Sequence, residues 1–106
     1  MAKTVRVKSW EEFKRIAVEK NAKTVTYIIA QSIPAGNYTG LKLIMPVEDT
    51  QYIFTDTAKD DKMRRTGIPI HADKNGNKFL TDDTIKSFLR NNLEISNLQI
   101  FSYWTA

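Results

Sequence analysis

The chain opens on a two-residue rhythm. Val5 and Val7 alternate with Thr4, Arg6 and Lys8, which predicts a half-buried strand over 4–8. Ser9-Trp10-Glu11-Glu12 then has the spacing of a capping box, in which the Ser9 hydroxyl accepts from the Glu12 amide. A helix from Trp10 to about Asn21 follows. Trp10, Phe13 and Ala17 share its apolar stripe, with Ile16 at the edge. The other face is mixed, with Glu11 set to pair with Arg15 one turn on.

Strand patterns fill the middle. The run 24–33 (TVTYIIAQSI) is rich in β-branched and aromatic residues and is closed by Pro34-Ala35-Gly36-Asn37. A second run covers 41–47 and ends near Pro46. The turn Glu48-Asp49-Thr50 leads into a third, 51–55. The stretch 56–67 (DTAKDDKMRRTG) has no apolar period and predicts either a long loop or a short, poorly anchored helix; such long loops are often functional where ordered. Asn75-Gly76 predicts a type I′ hairpin setting Asp73 opposite Lys78, Ala72 opposite Phe79 and His71 opposite Leu80. Thr81-Asp82-Asp83 starts a second helix, capped by Thr81, with Ile85, Phe88 and Leu89 as its stripe and Asn91-Asn92 at its end. The run 93–104 alternates again as a last strand. The order β-α-β-β-β-loop-β-β-α-β predicts an α+β fold: a largely antiparallel sheet with two helices packed on one face.

At 106 residues with 42% apolar content, the expectation is a single domain over 1–106 that buries roughly 60–65% of its unfolded surface. No cysteine is present, so disulfides, thiolate catalysis and Cys-based zinc sites are excluded. The N-terminal residues lack the apolar core of a signal peptide, and the longest apolar stretch near the middle is too short to span a bilayer. A cytoplasmic location without membrane attachment is expected.

Charge changes this picture. The net value is +4, yet residues 1–47 hold eight bases and three acids, while 48–106 hold eight bases and nine acids. Such a basic half invites a polyanion: RNA, single-stranded DNA or an acidic protein surface.

The candidate chemistry narrows accordingly. His71 is the only histidine, and no nucleophile motif surrounds it, so a structural role suits it better. The acid pairs Glu48-Asp49, Asp60-Asp61 and Asp82-Asp83 read as a turn, a charge-interleaved loop and a helix start. The calcium-like run Asp73-Lys74-Asn75-Gly76-Asn77 lacks the glycine and glutamate positions of an EF-hand. The four glycines, Gly36, Gly40, Gly67 and Gly76, form no phosphate loop. No catalytic residue, metal site or cofactor is expected, and the chain is not expected to be an enzyme. The helix-strand-strand-strand-helix order from Ser9 to Asn92 echoes double-stranded RNA-binding domains, but Thr81-Asp82-Asp83 stands where their basic helix start belongs. That assignment is therefore rejected.

Basic and aromatic residues remain. One expected cluster is Lys3, Arg6 and Lys8 on the outward face of the first strand, joined by Lys20 and Lys23 at the end of the first helix. A second is Lys62, Arg64 and Arg65, where adjacent guanidinium groups would fork onto phosphates. Tyr38, Tyr103 and Trp104 are the expected exposed aromatics, while most other strand aromatics are assigned to the core. The expected function is non-enzymatic nucleic-acid or ribonucleoprotein binding. The alternative is a protein-interaction module (adaptor, inhibitor or viral factor targeting a host complex) that uses 56–67 as its contact. Open sheet edges would also permit a homodimer.

Overall fold

The computed structural model describes residues 3–31, 38–56, 66–72, 74–76, 78–95 and 97–105, with side chains left out at 30, 31, 38, 39, 78 and 103–105. Its elements are β1 (Lys3–Arg6), α1 (Trp10–Glu19), β2 (Thr24–Gln31), β3 (Tyr38–Val47), β4 (Thr50–Asp56), β5 (His71–Ala72), β6 (Lys78–Phe79), α2 (Asp82–Asn92) and β7 (Gln99–Thr105). Neither described helix is long and apolar enough to cross a membrane.

Local chemistry accounts for the helix ends. The Ser9 hydroxyl accepts from the Glu12 amide at 3.1 Å, and the Thr81 hydroxyl accepts from the Thr84 amide at 3.2 Å. Each satisfies a backbone donor that the first turn leaves orphaned. At the far end of α1, Asn21 adopts φ 52°. Its amide donates to the Val18 carbonyl and the Ala22 amide donates to Ala17. This paired closure needs a residue tolerant of the left-handed region, and it ends the helix at Glu19, two residues before the expected stop. On the exposed side Lys14, not Arg15, pairs with Glu11 at 3.1 Å, while Arg15 reaches Glu19 at 3.9 Å.

Five strands form one sheet in the order β1-β4-β3-β2-β7. The β2-β3 and β3-β4 pairings are antiparallel, whereas β1-β4 and β2-β7 are parallel. The sheet is therefore mixed, correcting the expectation of a largely antiparallel one. The physical reason is the pair of helical connections. β1 reaches β2 through α1, β4 reaches β7 through α2, and each step passes over two strands in the same direction. The right-handed preference of such crossovers then places both helices on the same side. Ring contacts locate that side: Trp10 lies 5.8 Å from Phe54 and 5.6 Å from Phe88, and Phe13 lies 6.0 Å from Phe54.

The core lies between this face and the helices. Val25, Tyr27 and Ile29 of β2, Leu41, Leu43 and Met45 of β3, and Phe54 of β4 meet Phe13, Ala17, Ile85 and Leu89 there. The strand expected over 93–104 is shorter. Leu93 and Leu98 are buried and Ile95 half-buried, but Asn97 at φ 60° breaks the extended backbone before β7.

The small hairpin also differs from expectation. His71 pairs with Phe79 and Ala72 with Lys78, a register one residue away from the two-residue turn. Gly76 has φ 81° while Asn75 does not enter the positive region. A type I′ turn needs both, so the expected Asn75-Gly76 turn does not form, and of that pair only the glycine takes the left-handed position. Asp73 and Asn77 lie outside the described residues.

Candidate functional site

With both helices on one side, strand alternation assigns the opposite face. Its central row runs straight across all five strands: Arg6, Ile53, Ile44, Thr26 and Phe101 are successive register partners. Ile53, Ile44 and Thr26 are half-buried, Arg6 is exposed, and Phe101 is 53% exposed. Across the next row Thr55 pairs with Lys42 and Lys42 with Ile28. Lys8 follows Arg6 past the end of β1. The row on the other side is polar apart from Pro46, with Thr4 beside Gln51, Gln51 beside Pro46, and Thr24 beside Gln99.

The chemistry of this face is one-sided. From Thr4 to Phe101, its described strand residues include no carboxylate. The described acids lie elsewhere: on α1, in the Glu48-Asp49 turn, at the start of α2, at Glu94, and in Asp56, which shares the buried side with Phe54. Among the described residues no acid pairs with Arg6, Lys8 or Lys42. Arg6, Val7, Lys8, Ile53 and Thr55 line a hollow of about 410 Å³ at the β1 side. A cation over an apolar floor, with no counter-ion among the described residues, is suited to an anionic ligand that also has flat apolar parts.

The structure gathers only part of the expected site. Arg6 and Lys8 share a hollow. Lys3, by contrast, follows the alternation of Val5, whose partner Tyr52 lies on the helix side, and so it is not on the outward face with Arg6. Lys20 and Lys23 line a separate hollow of about 330 Å³ with Pro46, Val47 and Glu48, near the β3-β4 turn. They do not join Arg6 and Lys8, because α1 runs back along the sheet and ends at the opposite end of the strands. Tyr103 holds the register position beside Ile28, on the open-face row, whereas Trp104 is partnered with Ile29 on the buried one. Tyr38 is paired with Gln31 at the start of β3. The side chains of these three aromatics, and all of Lys62, Arg64 and Arg65, lie outside the described residues.

Two residues of this face stand outside the expected clusters. Lys42 is the single charge in an apolar run, and Phe101 falls among the aromatics assigned to the core. Alternation carries the signal for Lys42: Leu41, Leu43 and Met45 are one set, and Lys42 and Ile44 the other.

Two further polar groupings serve the fold. The Asp56 carboxylate, 1% exposed, accepts from the Thr66 amide at 3.2 Å and its hydroxyl at 2.6 Å, and the Ile68 amide donates to that hydroxyl at 3.4 Å. This clasp joins the two ends of the 57–65 span. At the start of α2 the Tyr27 hydroxyl donates to Asp82. Burial, then the bond to Asp82, pushes the Tyr27 phenol from 10.0 up to about 12, partly opposed by the Ser102 hydroxyl on β7. His71 stacks on Phe79 at 5.5 Å and its Nε2 meets the Thr84 hydroxyl at 2.8 Å, so the hairpin rests on the first turn of α2. No three His, Asp or Glu residues among those described converge as metal ligands.

The chain matches no family model, no curated protein and no solved structure.

Proposed function

We propose that this protein is a non-enzymatic nucleic-acid-binding module that uses the open face of its sheet. The observation that carries the reading is the face on which, among the described residues, no acid offsets Arg6, Lys8 and Lys42 around an apolar centre. Polyanion affinity arises when such cations replace condensed counter-ions along the phosphates. The Arg64-Arg65 pair would add to this if the 57–65 span reaches the same ligand.

Fluorescence anisotropy with a labelled mixed-sequence 20-mer, titrated at low and moderate salt, tests the proposal. Affinity should fall steeply with salt, and the triple variant Arg6→Ala, Lys8→Ala, Lys42→Ala should lose most of it. Absence of binding at low salt ends the reading. The Asp56–Thr66 clasp supports a second one, because it holds the ends of 57–65 together and would let that span serve an acidic protein partner. A stoichiometric partner that survives nuclease in a pull-down would favour that second reading.

A further inference from the structure

Resting on that proposed function, we infer that the open face takes single strands, laid across the β-strands, in preference to duplex. The strand would run along the row from Phe101 to Arg6, with a base stacked on Phe101 and phosphates at Lys42, Arg6 and Lys8.

The composition of the row is the reason. Five strands at about 4.8 Å spacing make it roughly 19 Å from β1 to β7, and its middle is Ile53, Ile44 and Thr26 rather than cations. A duplex presents phosphates outward and keeps its base faces stacked inside. Docked here it would press charged, hydrated groups onto isoleucine while its bases stayed out of reach of Phe101. Desolvating them against an apolar floor is unfavourable. An unpaired strand has the complementary arrangement, with flat apolar bases on one side of a charged backbone. Phe101 offers a ring more than half exposed at the β7 side, and the cations are offset toward β1 and β3. Bases and phosphates can therefore be served at the same time. Thr4, Gln51 and Gln99, all exposed in the adjoining row, supply hydrogen-bonding groups to base edges without favouring one base.

The phenylalanine separates stacking from charge. Because Phe101 is largely exposed, its removal spares the core, and circular dichroism of each variant verifies the fold. Competition anisotropy would compare 12-mer RNA, 12-mer single-stranded DNA and the matching DNA duplex on wild type, Phe101→Ala and Phe101→Trp. The single strands should bind about tenfold or more tighter than duplex. Phe101→Ala should weaken them about tenfold, leave the salt slope unchanged and leave duplex binding unaltered, and Phe101→Trp should restore affinity. The RNA and DNA arms show whether the 2′-hydroxyl is also read. Equal affinity for duplex, or an alanine variant that behaves as wild type, overturns this inference while the phosphate-binding face stands. Wild type that binds none of the three probes at low salt overturns the proposed function itself.

Discussion

The same five strands build two unlike surfaces. On one side Phe54, Leu43 and Tyr27 are sealed beneath α1 and α2. On the other, one residue away along each strand, lie Ile53, Ile44 and Thr26, with Arg6 at one margin and Phe101 at the other. The buried side tolerates polar groups only where they are bonded, as at Asp56 and Tyr27. The open side carries cations with no described acid to neutralise them. Backbone pleating lets these two chemistries share a strand, since adjacent side chains never face the same way. Stability and the proposed binding would thereby be divided between alternate positions of each strand.

Substitutions can test how complete that division is. The largest effect belongs to the sealed side: Phe54→Ala should cost about 3–5 kcal/mol, measured by denaturant unfolding. Where the variant remains folded, its salt slope for nucleic acid should be that of wild type. Next, the pair Arg6→Ala, Lys42→Ala should leave stability within about 0.5 kcal/mol. The same pair should lower the salt slope for single strands by about 0.7 for each phosphate no longer neutralised. A marked drop in melting temperature for that pair would break the comparison.

Tyr27→Phe should cost about 1 kcal/mol near neutral pH, and that cost should change in alkali. The Tyr27 phenol ionises near 10 when unfolded and near 12 in the folded state. Its contribution is complete below pH 10. It falls as pH rises from 10 to 12, because the unfolded chain releases the proton first, and above about 12 it is gone. The stability difference between wild type and Tyr27→Phe should therefore narrow over that window, as read by denaturant unfolding at stepped pH. Thr81→Ala should cost about 1 kcal/mol from the lost cap, measured by denaturant unfolding, with no effect on nucleic-acid affinity and no pH signature.

Local features were plain in the sequence. The caps at Ser9 and Thr81, the stripe of Trp10, Phe13 and Ala17, and the order of the elements are set by residues a few positions apart. Pairing direction was not legible. Whether β1 and β7 join as parallel edges depends on where two helical connections deliver them, which no nearby residue encodes. The hairpin register turned on whether Asn75 as well as Gly76 would adopt positive φ. The open face was half visible: alternation separated Lys42 from Leu41 and Leu43, but only the position of the helices says which set is covered. Phe101 was harder still, since its exposure depends on β7 being an edge of the sheet.

The clasp between Asp56 and Thr66 has a consequence for how this protein can change. With those ends held together, lengthening the chain between them costs little in loop closure, since each doubling adds about 0.6 kcal/mol. The described sheet register and both crossovers should survive insertions there, as circular dichroism and denaturant unfolding of an insertion variant would check. The span is thus a natural splice point, where a reporter or a second binding segment can be installed while the rest of the molecule keeps its shape.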